Sequence, residues 1–123
     1  MHEMAIAQSL LQIAEEEAQR QNCNRITQIK VKYGALTGIM PEALSLCVEA
    51  LTRGTIHENV ELIMELSPAK LRCPFCNETF GGNGENVLWQ PCPGCGEGFG
   101  HIVEQGKELL LTHLEAERFE AGK

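Results

Sequence analysis

Cys73-Pro74-Phe75-Cys76 and Cys92-Pro93-Gly94-Cys95 are the two short stretches that decide how this chain of 123 residues is organised. Each is a C-x-x-C pair, and fifteen residues separate the pairs. Two such pairs at this spacing are typical of a zinc ion held in a tetrahedron of four thiolates. We therefore predict a zinc ribbon whose structural Zn²⁺ is bound by Cys73, Cys76, Cys92 and Cys95. Because four cysteines close the coordination shell, no position is left for a catalytic water.

Two other interpretations of these cysteines stay open from the residues alone. The pairs could form two disulfides, or they could remain reduced thiols in a core. A redox-active C-x-x-C motif explains one pair but not two matched pairs. The N-terminus lacks the basic flank and apolar run of a secretory signal, and no apolar stretch approaches the roughly eighteen residues of a membrane span. We expect a cytoplasmic protein with no membrane partner, in which thiols stay reduced.

The charge balance argues against nucleic acid as a partner. The formal net charge is −7, from seventeen acidic and ten basic residues, and aromatic residues make up only 5% of the chain. A zinc ribbon that binds nucleic acid needs a positive surface for the phosphates and often needs stacking aromatic side chains. An acidic surface suits protein partners or cations better. The sequence also contains no glycine-rich phosphate loop that would indicate an NTPase.

Hydrophobic periodicity predicts an α+β fold, with two helices on a small three-stranded mixed sheet. The zinc-ribbon module is inserted between the second and third strands. Helical spacing covers residues 4–21 and 41–53, whereas alternation predicts strands at residues 26–33, 60–66 and 108–116. We therefore predict an α/β domain of residues 1–69 plus 105–123 and a zinc-ribbon domain of residues 70–104.

The N-terminus offers nitrogen ligands for a second metal. Methionine before a bulky residue such as His2 is normally retained, so we expect a free Met1 amine. That amine, the His2 amide nitrogen and the His2 imidazole can close fused chelate rings around one ion, with the Glu3 amide nitrogen within reach. Nitrogen-rich sites of this kind favour Ni²⁺ or Cu²⁺ in a planar or tetragonal arrangement. The alternative is an ordinary helix start in which Glu3 complements the helix dipole.

A resemblance covering essentially the whole chain favours the metal interpretation. Several short motifs occur in order along the sequence. Because of these motifs, the chain resembles the HypA/HybF family of hydrogenase maturation factors. These motifs are Met1-His2-Glu3, Gly34-Ala35-Leu36-Thr37-Gly38, Pro41-Glu42-Ala43-Leu44, Gly54-Thr55-Ile56, the two C-P-x-C pairs and Gly106-Lys107-Glu108-Leu109.

The resemblance implies a nickel metallochaperone without enzymatic activity, which delivers Ni²⁺ during maturation of the NiFe-hydrogenase large subunit. It implies nickel binding by the Met1 amine, by the backbone nitrogen and imidazole of His2, and by the backbone nitrogen of Glu3. The implied partners are a maturation GTPase of the same pathway and the hydrogenase large subunit. We expect a monomer or a weak homodimer. The alternative function is a zinc-ribbon protein-interaction adaptor with no second metal site. A hydrolase is less favoured than either, because the sequence shows no paired nucleophile and base.

Overall fold

The structure of the protein is a computed structural model, and it describes residues 2–83 and 85–120, with only the backbone of Glu85. Over this part of the chain the fold is α+β, as predicted, with two helices and two three-stranded sheets. The elements are α1 (Glu3–Arg20), β1 (Arg25–Gly34), α2 (Pro41–Thr52), β2 (Glu61–Ser67), β3 (Ala69–Arg72), β4 (Thr79–Gly82), a 3₁₀ helix (Glu85–Trp89), β5 (Ile102–Gln105) and β6 (Leu109–Glu117).

The chain groups into two compact units. The first contains the described parts of Met1–Val31, Ile39–Glu65 and Leu110–Lys123, and the second contains Lys32–Gly38 and Leu66–Leu109. The second unit includes the four cysteines of the two C-x-x-C pairs and is larger than the predicted ribbon of residues 70–104. Whether residues 70–104 form a separate folding domain stays a prediction. Within the described residues, neither helix has the length and hydrophobicity of a membrane span.

In the described part of the first unit, buried side chains come from one face of each helix and from β1. One of the two sheets has the strand order β2-β1-β6. Each fully buried aliphatic side chain contributes about 1.5–3 kcal/mol relative to leaving it in water. The core side chains of this unit include Ala7, Leu10, Leu11, Ala14 and Ala18 of α1, Leu44 and Val48 of α2, and Ile26, Ile29 and Val31 of β1.

Helix α1 ends in a Schellman motif. Asn22 has a left-handed backbone with φ 64° and donates its N–H to the carbonyl of Gln19. The N–H of Cys23 then reaches back to the carbonyl of Ala18 at 2.8 Å. These two bonds satisfy carbonyls that would otherwise be unpaired at the end of the helix. The chain is thereby turned directly into β1.

A buried histidine ties the loop after α2 to the first strand. His57 is 9% exposed, and its Nδ1 accepts the backbone N–H of Ile26 at 3.1 Å. On the other side of the ring, Nε2 lies 4.0 Å from a carboxylate oxygen of Glu15 in α1. Ile26 is itself 1% exposed, so water cannot easily replace His57 as the acceptor for this N–H. His57 therefore has a structural role in the first unit.

We expect His57→Leu to lower the free energy of unfolding by about 1–3 kcal/mol, because the buried N–H of Ile26 then loses its acceptor. His57→Asn is the matched variant, since its side-chain oxygen can take the place of Nδ1, and we expect it to recover part of the loss. Urea unfolding followed by circular dichroism measures both. Equal stability of the Leu variant and the natural chain would contradict this role.

The second unit is built on a short three-stranded sheet with the order β4-β3-β5, in which β3 is antiparallel to both neighbours. Its core is small. Ala35, Ala69, Leu71 and Val87 are buried, and Leu36, Phe80 and Val103 pack against them. A core of this size gives limited hydrophobic stabilisation, so the ribbon needs another source of stability.

Two backbone segments of the second unit approach each other too closely for side chains. A Cβ atom at Gly34 would lie 2.0 Å from the carbonyl oxygen of Gly106. That carbonyl accepts the N–H of Leu36 at 2.8 Å, and Gly34 donates its own N–H to the carbonyl of Glu108 at 2.8 Å. Both segments are therefore held by hydrogen bonds at a distance that only glycine at position 34 permits.

We expect Gly34→Ala to destabilise the protein by about 3 kcal/mol or more, because the obstructing atom is backbone and cannot rotate away. Gly82→Ala is the matched control: a Cβ there meets no atom within 4 Å. Thermal unfolding of both variants checks this expectation. Similar midpoints for the two variants would contradict it.

Candidate metal centres

The first C-x-x-C pair lies in a tight turn that joins β3 to β4. Cys73 donates its N–H to the carbonyl of Glu78 at 2.9 Å, and Asn77 donates its N–H to the carbonyl of Cys73 at 2.8 Å. Asn77 has a left-handed backbone with φ 67°. Asn is among the few non-glycine residues that adopt this conformation readily. The turn thus directs both thiols of the pair toward one point.

The second pair repeats the same turn before β5. Cys92 donates its N–H to the carbonyl of Glu97 at 2.9 Å, and Gly96 donates its N–H to the carbonyl of Cys92 at 2.8 Å. Gly96 has φ 80° and occupies the position that matches Asn77, four residues after the first cysteine. We did not predict a role for Asn77 from the sequence. Its shared spacing with Gly96 was the signal that could have revealed it.

The two turns bring all four predicted zinc ligands together. The Sγ atoms of Cys73, Cys76, Cys92 and Cys95 lie within 4.8 Å of one another. The Sγ atoms of Cys73 and Cys95 are 3.6 Å apart, and those of Cys76 and Cys92 are 3.4 Å apart. Four sulfurs about 2.3 Å from a central zinc ion would be separated by about 3.8 Å. The observed separations are close to this value, so the donor set fits tetrahedral zinc.

The backbone around the thiols provides N–H groups that stabilise thiolates. The Glu78 N–H acts to lower the pKa of Cys76, but hydrogen bonding with the thiol of Cys92 and burial raise it to about 12. Burial acts to raise the pKa of Cys92, yet the N–H groups of Cys95 and Gly94 lower it to about 7. In the metal-free cluster the thiol of Cys76 therefore resists ionisation. A divalent cation bound by the four sulfurs would favour the thiolate form.

Gly94 also allows the two turns to lie close together. A Cβ atom at this position would lie 3.3 Å from Sγ of Cys76 and 3.3 Å from Cβ of Glu78, both in the opposite turn. Its N–H points to Sγ of Cys92 at 3.3 Å. Gly94 therefore allows the turns to meet and donates a hydrogen bond to a ligand sulfur, the kind of outer interaction that orients metal ligands.

His101 lies in the same unit but serves packing. Its ring meets that of Phe80 edge to face, with 4.9 Å between centroids. Its Nε2 is 2.8 Å from the carbonyl oxygen of Glu97. Within the described residues, the four cysteines are the one group of three or more potential metal-ligand side chains that converges on a point.

The N-terminal candidate site begins just outside α1. Glu3 is the first residue of the helix, and His2 is its N-cap, with a non-helical backbone of φ −92° and ψ 80°. The imidazole of His2 makes no capping hydrogen bond and is exposed. The His2 carbonyl accepts the N–H of Ile6 at 3.1 Å, which anchors the first turn. Met1 lies outside the described residues.

Comparisons with known proteins identify the family of this chain. A family model described as HypA, hydrogenase/urease nickel incorporation, metallochaperone, matches residues 1–116. The hydrogenase maturation factor HypA of Solidesulfovibrio magneticus is 39% identical over 117 residues, which are 95% of this chain and 100% of that protein. The corresponding factor of Aquifex aeolicus is 36% identical over 117 residues, covering 95% of this chain and 98% of the relative.

A solved structure has the same fold. The solution structure of the Ni metallochaperone HypA from Helicobacter pylori matches with a TM-score of 0.66 and 22% sequence identity, and the match covers 97% of this chain and 100% of the other. The resemblance inferred from the sequence is thus confirmed, and the alternative of an adaptor without a second metal is not favoured. This chain belongs to the HypA family, the metallochaperones for nickel incorporation into hydrogenase and urease.

Proposed function

We propose that this protein, without enzymatic activity, carries Ni²⁺ on Met1, His2 and Glu3 and delivers it to the large subunit of a NiFe hydrogenase. The family description includes urease, but the relatives compared above are named hydrogenase maturation factors. A GTPase of the same maturation pathway is the proposed partner in delivery. We also propose that the protein is a monomer or a weak homodimer and that it is cytoplasmic, as expected from the sequence.

One observation carries the nickel site: α1 begins at Glu3 and leaves His2 with a non-helical backbone. The first N–H groups of a helix have no partner within it, so the amide of Glu3 can serve as a ligand without breaking a helical bond. The His2 imidazole, which caps nothing, can turn toward the same ion. Nickel binding then does not require α1 to unwind.

The helix dipole determines which form of the site is favoured. The positive end of α1 repels a free cation. When amide nitrogens ionise to bind the metal, however, they become negative, and the same dipole stabilises them. This argument favours a planar site of amine, ionised amide and imidazole nitrogens, which suits Ni²⁺.

We propose that Cys73, Cys76, Cys92 and Cys95 hold the structural zinc. When bound, zinc supplies the cross-link between the two turns that the small core of the ribbon lacks. The chemistry of four thiolates favours zinc, whereas the nitrogen donors of the N-terminus favour nickel. The protein can therefore separate its cargo from its structural metal by ligand type alone.

We expect His2→Ala to bind Ni²⁺ at least about tenfold more weakly, since it removes one ring of the chelate. The measurement is calorimetric titration of protein with its natural N-terminus. His113→Ala is the matched control, because that exposed histidine lies on β6 and should leave affinity unchanged. An N-terminal tag should weaken binding as His2→Ala does, because it removes the free amine, and affinity should fall as pH is lowered because protons compete for the nitrogen ligands. Equal affinity of His2→Ala and the natural chain would refute the site.

We expect Cys76→Ser to lose bound zinc and to unfold the ribbon while the helices of the first unit persist. Cys23→Ser, outside the cluster, should keep about one zinc per chain. Elemental analysis measures the metal content, and circular dichroism measures the helices. Full zinc content in Cys76→Ser would contradict the assignment.

The zinc site should also weaken as pH falls. Because Cys76 has its pKa raised to about 12, its thiol holds a proton in the metal-free cluster at neutral pH, and zinc must displace it. For each proton that zinc displaces, the logarithm of the zinc affinity should fall by about one when the pH is lowered by one unit. Competition with a chelator between about pH 6 and pH 8 measures this slope, and a slope of zero would contradict proton displacement.

A further inference from the structure

The carboxylate of Glu3 caps the second helix rather than its own. Oε2 of Glu3 accepts the backbone N–H of Met40 at 3.4 Å, and Met40 is the N-cap residue of α2. In a capping box this bond comes from a Glu or Gln at the third helical position. In α2 that position is Ala43, which has no polar side chain. Glu3 supplies the missing interaction from the neighbouring helix.

The positive ends of both helices meet at this carboxylate. Glu3 and Met40 stand at the starts of α1 and α2, and further along the helices Leu51 of α2 lies beside Leu11 and Glu15 of α1 around a shallow groove. The helices thus run in the same direction. Each helix N-terminus carries roughly half a positive charge. Two adjacent ends therefore place about one positive charge beside the N-terminal residues.

Two adjacent positive helix ends repel each other unless their charge is compensated. The single negative charge of Glu3 matches the sum of the two helix dipoles, and Glu42 in the first turn of α2 adds to it. The bond to Met40 also restrains the first turn of α1, which begins directly after His2. The side chain of Glu3 thereby affects the geometry of the N-terminal nitrogens.

We propose that the Glu3 carboxylate is a positioning residue of the nickel site: it stays on the N-terminus of α2, holds the two helix starts together and neutralises their dipoles, while the backbone nitrogen of Glu3 binds the cargo. The inference rests on the proposed nickel function. Its specific content is that the carboxylate of Glu3 is not itself a nickel ligand.

The capping role is tested first in metal-free protein, where nickel plays no part. Glu3→Ala removes the acceptor and the charge, Glu3→Gln keeps an acceptor but removes the charge, and Glu16→Gln removes an equal charge from an exposed position further along α1. We expect the Met40 amide to exchange its hydrogen several-fold faster in Glu3→Ala, more modestly so in Glu3→Gln, and at the natural rate in Glu16→Gln, as measured by NMR. An unchanged Met40 amide in Glu3→Ala overturns the cap.

Nickel titration of the same variants tests the link to the cargo. We expect affinity to fall about threefold in Glu3→Gln and about tenfold in Glu3→Ala, with no change in Glu16→Gln, because a first turn of α1 that has lost its restraint must be ordered again before the Glu3 nitrogen binds the metal. The absorption maxima of bound Ni²⁺ should stay in place in all variants. Shifted maxima in Glu3→Gln would show that the carboxylate is a ligand and overturn the inference, as would unchanged affinity in both Glu3 variants.

The two levels of the proposal fail in different ways. If His2→Ala binds nickel normally, the proposed nickel site is wrong, whatever Glu3 does. If His2→Ala loses nickel while the Glu3 variants bind it normally, the nickel site stands and the positioning role is wrong. If Glu16→Gln and Glu3→Gln lose the same amount of nickel affinity, the effect comes from net charge alone. That result would also overturn the positioning role.

Discussion

The convergence of four cysteine sulfurs on one point is the constraint on which the second unit depends. The sulfurs of Cys73, Cys76, Cys92 and Cys95 lie within 4.8 Å of one another, a distance at which four negative charges need a cation between them. The rest of the unit is arranged around this requirement. Both turns use a left-handed residue at the same position, and Gly94 lets the turns approach. The few buried side chains of the ribbon complement the metal and do not replace it.

The two proposed metal centres differ in how much the protein organises them in advance. At the cysteines, hydrogen-bonded turns hold the ligands in place without help from a metal ion. At the N-terminus, the nitrogens belong to the start of the chain, and the nearest organised features are the first turn of α1 and the carboxylate of Glu3. A preorganised site retains its metal, whereas a less organised one exchanges it more readily. That difference suits one structural ion and one cargo.

The larger elements could be predicted from the sequence, and the short strands of the ribbon could not. Helix α2 was predicted at residues 41–53 and ends at Thr52, because Pro41 and Gly54 mark its limits clearly. The strands β3, β4 and β5 have four residues each, too few for alternation to be visible among glycine, proline and cysteine. Spacing was sufficient to predict the cysteine cluster. The bond from Glu3 to Met40 joins residues 37 positions apart, so no local pattern could indicate it.

The order of strands in the ribbon has a consequence for how the unit forms. Leu71 of β3 pairs with Phe80 of β4, nine residues away, but with Val103 of β5, thirty-two residues away. Closing the longer loop costs about 1 kcal/mol more in chain entropy. The β3–β4 hairpin, which contains the first cysteine pair, is therefore the more local structure. A metal ion that joins the first pair to the second shortens the remaining loop, so zinc acts on the folding pathway of the ribbon as well as on its final stability.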